Sequence, residues 1–497
     1  MLASKYSAAY PLVPLSAILS LTILLSSCAV GPNYQRPKVN VPVAYRGIND
    51  VAQQASLADL AWWQVFKDEK LNGLVKAALA NNYDMGIAVA RVEQEREMMA
   101  GARSAYFPAV DYQAVLTEGR NQFLFSPSSN TISAQGFLAA VGNVAWEPDI
   151  WGRIRRLNEG ARAQYLSTEE ARRGVMLSVM SDVSQAYLQY LGLQLQLATA
   201  KQSEKTFADA RKIFDERQHE GVSSGLPVAR ATADEATAAA QIPELERQIA
   251  LTENQLSVLL GRNPGPLETS ASLLTETVPP EVPAGLPSAL LERRPDVLSA
   301  EETVHYANAQ IGLAKAAFFP QFGLTAFLGK ISTPLSIATA GYTNAWSAGT
   351  NLSGPIFEGG KLKAQKRQAV AAWRQATLQY QQTALSAFQD VSNALISREK
   401  YEAIRTEQAR AVEANQTSIQ LALKRYMQGV AGYYEVLLAE EQLYPSQVAL
   451  VQTELNQRLV IVQLYKALGG GWNLTDAQWS SASEQAPIGN QPAGQKP

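Results

Sequence analysis

The chain twice runs a long helical pattern between short stretches of alternating apolar and polar residues. From about Arg153 to Glu220 there is no proline and only three isolated glycines. Two apolar seams step along it by four and three residues. One is Val179, Val183, Ala186, Tyr190, Leu193, Leu197 and Ala200; the other is Leu177, Ser184, Leu188, Leu191, Leu195 and Ala198. That step is the coiled-coil period. The spacing predicts one helix over 153–220, roughly 100 Å long at the standard rise, and a second over 361–428. Two seams give a helix neighbours on both sides, as in a ring of helices; the central helix of a large bundle fits the same pattern.

The alternating stretches predict strands. After Pro108, Val110, Tyr112, Ala114 and Leu116 alternate with Asp111, Gln113 and Thr117. After Pro320, Phe322, Leu324, Ala326 and Leu328 alternate with Gln321, Gly323 and Thr325. Returning segments at Gly136–Glu147 and Ala345–Gly354 complete two strand pairs, about 109–147 and 321–354, each joined by a polar loop. Each strand is near the roughly 9–11 residues of a tilted transmembrane strand. Two ordinary hairpins of a soluble sheet are the alternative. In lipid, four strands cannot leave an open edge, so transmembrane strands here require an oligomer that pools them.

The helix–strand order repeats because the sequence repeats. Gly152, Asp182-Val183-Ser184, Arg217, Gly221-Val222, Gln255-Leu256 and Leu260-Gly261 recur 208 residues later, from Gly360 to Leu468-Gly469. Upstream the offset is 212, carrying Ala105 through Phe107-Pro108 onto Ala317 through Phe319-Pro320. This period is too long for a solenoid and indicates two copies of one unit. The repeats are expected at 57–261 and 296–472, joined by a linker at 262–295. Shorter helices at 226–260 and 433–468 follow the long ones, and a tail at 473–497, rich in Ser, Gln, Gly and Pro, is expected to be disordered.

The first residues give an address. Lys5 precedes an apolar run, Leu15 to Leu25, too short for a spanning helix of about 20 residues and suited to a signal peptide over 1–27. It ends at Leu25-Ser26-Ser27-Cys28, which resembles a lipobox; Cys28 then carries the lipid, and 28–56 form a lipidated linker. Cys28 is the only cysteine, so disulfides are excluded. Ala29 follows in place of the aspartate that retains such proteins at the inner membrane, so the outer membrane is expected. The formal net charge is −2 and no long basic run is present, which gives no reason to expect nucleic acid.

Together these features resemble the TolC/OprM outer-membrane efflux proteins, most closely their lipoprotein, NodT-type branch. The carrying residues are Cys28 with Gly31-Pro32-Asn33-Tyr34, and the Phe-Pro pairs at Pro108 and Pro320. Trp146-Glu147 leading into Ile150-Trp151-Gly152-Arg153, and Phe357-Glu358-Gly359-Gly360-Lys361, complete the set. The resemblance implies a mixed α and β membrane protein. In it a homotrimer builds a twelve-stranded transmembrane barrel, four strands per chain, continuous with a long periplasmic helical barrel. It implies a passive duct for small toxic compounds that spans the periplasm. Its partners would be a periplasmic adaptor and an inner-membrane RND-type pump, with no cofactor beyond the lipid on Cys28. A duct for type I protein or peptide secretion and a non-conducting coiled-coil envelope scaffold are the competing functions.

Candidate site residues gather at turns. Pro108 and Pro320 fall where helix must yield to strand, and Gly152 and Gly360 where the chain re-enters helix; plain structural punctuation is an equal reading. The short turns Gly221-Val222-Ser223-Ser224-Gly225 and Gly429-Val430-Ala431-Gly432 suit docking of an adaptor's helical hairpins, or are simply tight helix hairpins. By the resemblance, Arg425 and Tyr426 lie near a periplasmic gate, with Tyr426 hydrogen-bonding between helices. Family members with an acidic constriction carry two carboxylates where this chain has Glu435 and Leu438, so a looser or more apolar constriction is expected. Catalysis finds no support. The only histidines, His219 and His305, are far apart, and no phosphate loop, zinc spacing or nucleophile elbow is present.

Overall fold

The computed structural model describes residues 29–46, 56–119, 135–269, 271–275, 283–332 and 343–471. The expected signal peptide, the expected lipid-bearing Cys28, part of the linker to residue 56 and the tail lie outside the described residues. The principal elements are helices α1 (Glu69–Asn81) and α2 (Tyr83–Ser104), strands β1 (Ala109–Gly119) and β2 (Gln135–Trp146), and helices α3 (Arg153–His219) and α4 (Gly225–Leu259). There follow α5 (Pro295–Ala316), β3 (Gln321–Ser332), β4 (Thr343–Ser353), α6 (Lys361–Met427) and α7 (Tyr433–Ala467). Corresponding helices match in length: α2 and α5 have 22 residues, α3 and α6 have 67, α4 and α7 have 35. Gly225, assigned to a turn from the sequence, already opens α4. No helix among the described residues is long and apolar enough to cross a membrane.

The chain forms two compact units: residues 1–37, 93–167 and 301–379, and residues 38–92, 168–300 and 380–497. In the first unit the strands form one antiparallel sheet in the order β1-β2-β3-β4. Its register sorts the side chains. The row Tyr112, Gly142, Leu328, Trp346 crosses all four strands on one face, beside the row Val110, Val144, Ala326, Ala348. The other face is more polar: it carries Asp111, Asn143, Thr325, Ser347 and Asn351 beside Phe327 and Val141, and Asn143 Nδ2 donates to Asp111 Oδ1 at 3.0 Å. The apolar face is bare: Tyr112 is 88% exposed, Leu328 70% and Trp346 74%. Within one chain, the outer edges of β1 and β4 have no partner strand among the described residues.

The helix–strand junctions are built alike. Phe107 N–H bonds Ser104 O and Phe319 N–H bonds Ala316 O, each closing a helix one residue before Pro108 or Pro320. On the return, Asp149 caps α3 by accepting from the N–H groups of Ile154 and Arg155 at 3.0 and 2.9 Å, as a carboxylate at a helix start should. Gly152 (φ +76°) and Gly360 (φ +91°) take left-handed backbone there. A Cβ on Gly152 would lie 2.5 Å from Ala29 Cα, so glycine is needed for close approach as well as for φ.

Residues 29–37 are strapped to this unit. The buried Arg156 guanidinium donates to Asn33 Oδ1 at 2.9 Å and to Val30 O at 3.3 Å, and pairs with Glu159 at 2.7 Å. Tyr34 stacks on His305 at 4.4 Å between ring centroids, and Arg36 pairs with Glu301 at 2.7 Å.

The second unit holds most of the buried apolar side chains, among them Val183, Tyr187, Tyr380, Val391, Leu256 and Tyr465. Asn82 joins α2 to the end of α4, accepting from Met85 N–H and donating to Leu259 O at 2.9 Å. Pro243 and Pro445 lie inside α4 and α7 without ending either helix. Each removes one backbone hydrogen bond, and each helix keeps buried residues on both sides of its proline.

Candidate functional site

The candidate tip and gate residues lie in the second unit, where α3 turns into α4 and α6 into α7. The two turns close in the same way. Gly221 N–H bonds Gln218 O and Val222 N–H bonds Arg217 O, both at 3.0 Å. Gly429 and Val430 repeat the pattern on Tyr426 and Arg425 at 3.0 and 3.1 Å. This paired closure, with glycine at φ +72° in both turns, is a Schellman cap that satisfies the last helix carbonyls. Beyond the glycines, Val222 and Val430 stand 62% and 69% exposed, and Ser223, Ser224, Ala431 and Gly432 complete two low turns.

Behind the turns the four helix ends share one core. Ala210 and Phe214 come from α3, Ala231 from α4, Ile419, Ala422 and Tyr426 from α6, and Val436 and Ala439 from α7. Three rings meet edge to face: Phe214 with Tyr433 at 4.6 Å, Phe214 with Tyr426 at 5.4 Å, and Tyr426 with Tyr433 at 6.2 Å. Such pairs contribute roughly 0.5–1.5 kcal/mol each beyond their burial. The Arg217 guanidinium lies over the Tyr426 ring, 5.0 Å from its centroid. Tyr426 is therefore held by rings and a cation; among the described residues no interhelical hydrogen bond of its hydroxyl accompanies them. Arg425 pairs loosely with Glu435 at 3.5 Å, both side chains about half exposed, and Leu438 is exposed on the same helix.

The sequence marks Arg217 only as a repeat position and does not point to Phe214, Tyr433 or an acidic pair one layer further in. Glu440 on α7 is 3% exposed. Its Oε1 has no hydrogen-bond partner among the described residues, and neither has Asp234 Oδ2 nor the Tyr433 hydroxyl. Burial, reinforced by the Asp234 carboxylate, pushes the Glu440 carboxyl up to about 7. Burial also raises Asp234, with Glu441 adding to it and Arg230 opposing it. The sequence gives little signal for them, since Glu440 stands beside Glu441 and Gln442, and Asp234 beside Glu235.

The histidines stand apart from this site. His219 is exposed at the end of α3, its Nδ1 2.9 Å from Asp215 O, and His305 belongs to the other unit, between Glu159 and Glu302 at 3.3 Å each. Among the described residues no three His, Cys, Asp or Glu side chains are grouped as metal ligands would be.

Residues 74–262 and 286–470 match the profile of the family described as "Outer membrane efflux protein". "Toluene efflux pump outer membrane protein TtgC" of Pseudomonas putida is 33% identical over 486 residues, covering 95% of this chain and 98% of its own. "Outer membrane protein OprJ" of Pseudomonas aeruginosa is 31% identical over 93% of this chain and 97% of its own. Among solved structures, the outer-membrane channel OprN superposes with a TM-score of 0.82 at 28% identity, over 90% of this chain and 100% of its own. The open state of the Neisseria gonorrhoeae MtrE outer membrane channel gives 0.79 at 29% identity, over 90% and 99%. The chain belongs to the outer membrane efflux protein family and is an outer-membrane efflux channel.

Proposed function

We propose that three copies of the chain pool their sheets into a closed twelve-stranded barrel, which conducts small toxic compounds passively to the exterior. The observation that carries this reading is the sheet itself. It has a bare apolar face, a polar face and two edges without a partner strand among the described residues. Unpaired backbone groups are not tolerated in lipid, whereas a closed ring of strands satisfies every one and turns its polar face to a channel. A lipid on Cys28 anchors the chain beside the barrel, and the strap of residues 29–37 leads from that anchor to the sheet-bearing unit.

The tips receive a periplasmic adaptor. Val222 and Val430 project from turns too short to obstruct a helical hairpin, and Leu226 and Tyr434 add exposed apolar surface beside them. The energy and direction come from an inner-membrane pump of the RND type. Leu438, in place of a second carboxylate, makes the constriction more apolar than an acidic ring. The name of the relative TtgC, a toluene efflux pump component, supports small apolar cargo.

The test is dye accumulation in cells with and without the gene, read beside the proteins released to the medium. Higher dye retention in the deletion, reversed by the wild-type chain, is the expected result. Unchanged dye with a missing secreted protein would replace efflux with protein secretion.

A further inference from the structure

A pocket of about 340 Å³ opens between α3, α6 and α7, behind the aromatic cluster of the tips. All its lining residues belong to the second unit. Its chemistry is uneven. The amides of Gln416, Gln420 and Gln447 and the rings of Phe207 and Tyr444 line it, and Glu440 is the single charged group among its lining residues. The α3 and α6 walls contribute uncharged side chains only. Glu440 is almost wholly withdrawn from solvent, and its Oε1 is left without a partner among the described residues. A buried carboxylate without a cation is costly unless it takes a proton. The charged neighbour that acts on it is Asp234 of α4, a second carboxylate, so the protein supplies no compensating charge.

We propose that this pocket binds a small organic cation, its charge against Glu440 and its apolar body against Phe207 and Tyr444. The volume is far more than the roughly 30 Å³ that one water occupies, which suits a molecule and not a bare metal ion. Aromatic faces beside a carboxylate are a recurring arrangement for ammonium groups. Binding at this pocket is read directly on the purified protein, without a conduction assay. It has a mechanical consequence. Glu440 lies two helical turns from Tyr433 on α7, and the pocket is walled by the same three helices that supply Phe214, Tyr426 and Tyr433. A bound cation ties those helices together.

Isothermal titration of the full-length protein in detergent with benzyltrimethylammonium tests this, with benzyl alcohol as the uncharged comparator. The probe carries a fixed charge, so any pH dependence belongs to the protein. Groups near Glu440 that bear on the profile are Asp234 of α4, with its own neighbours Arg230 and Glu441, and the phenols of Tyr433 and Tyr444. Saturable binding of one probe per chain is expected at pH 8, weakening by about tenfold per pH unit once Glu440 is protonated. Near pH 6.5 a proton is released on binding, seen as a heat that varies with the buffer. Glu440→Gln should lower the affinity at least about tenfold and flatten the pH profile. Ser203→Phe, which fills the pocket and leaves Glu440 in place, should abolish binding. Circular dichroism establishes that both variants keep their helices. Equal affinity for benzyl alcohol, an unchanged pH profile in Glu440→Gln, or unchanged binding in Ser203→Phe would each overturn the proposal. So would the absence of saturable binding up to about 10 mM probe.

Discussion

Arg217, at the end of the first long helix, lies over the ring of Tyr426, at the end of the second, with 5.0 Å from guanidinium carbon to ring centroid. This contact joins the two halves of the repeat at the point where both long helices turn back. It predicts a graded response. Tyr426→Phe keeps the ring and should change tip stability by less than about 0.5 kcal/mol. Tyr426→Ala empties a buried aromatic site and should cost about 3–5 kcal/mol; Arg217→Ala should cost about 1 kcal/mol. Hydrogen exchange of the amides at 210–235 and 420–440 measures all three, and a Tyr426→Phe effect equal to Tyr426→Ala would show that the hydroxyl is the holding group.

The Glu440 carboxyl should make the tips pH-dependent. Its folded value of about 7 lies above its ordinary 4.5, so the folded state retains a proton that the unfolded state has released. The associated stability is fully present below pH 4.5 and is lost as pH rises through 7, by about 3 kcal/mol in total. Glu440→Gln should remove this decline and leave the tips more stable than wild type at pH 8. Hydrogen exchange at 430–445 across pH 5 to 8, corrected for intrinsic exchange, reads both effects.

The proposed apolar constriction at Leu438 has a direct electrical test. Bilayer recordings of the wild-type channel should show weak cation selectivity, and Leu438→Asp should raise the cation-to-anion permeability ratio several-fold by placing a carboxylate one helical turn from Glu435. Strong wild-type selectivity that Leu438→Ala abolishes and Glu435→Gln leaves intact would refute the apolar constriction.

The glycines separate into two classes. At Gly221 and Gly429 a Cβ meets nothing within 4 Å, so alanine there costs only the left-handed backbone, about 1 kcal/mol. At Gly152 the same φ region is combined with overlap onto Ala29. Gly152→Ala should cost well over about 2 kcal/mol and release residues 29–37, which limited proteolysis of that segment would reveal.

The sheet predicts an asymmetry between its faces. Leu328→Lys places a charge on the apolar face and should cost about 2–4 kcal/mol near the middle of the hydrocarbon. Ser347→Lys, on the polar face, should leave membrane-assembled protein nearly unchanged. Assembly yield, followed by the shift of unheated samples on denaturing gels, distinguishes them.

Much of the fold was legible because it rests on local pattern. The seams of α3, the alternation after Pro108 and Pro320 and the turn glycines are periodic signals, and the repeat doubled each one. The four-helix core at the tips was less legible, for a physical reason. Arg217 and Arg425 are equivalent in the repeat, yet one stacks on an aromatic ring and the other pairs with Glu435. Their surroundings differ: Gln218 stands where the other half has Tyr426, and Pro227 where it has Glu435. Which helix of one half meets which helix of the other is a tertiary choice that a repeat register does not encode. Glu440 and Asp234 were missed likewise, because a carboxylate in a polar-looking helix reads as solvated until its neighbours are placed.

The paired Schellman turns carry one more consequence. Both hairpins reverse direction through backbone hydrogen bonds and a single left-handed glycine, so almost no side chain is committed to making the bend. Residues around each bend can therefore differ between the two halves without putting the bend itself at risk, as Gln218 opposite Tyr426 and Pro227 opposite Glu435 do. The aromatic cluster sits directly behind these bends, so its composition can change while the reversal of the chain is kept.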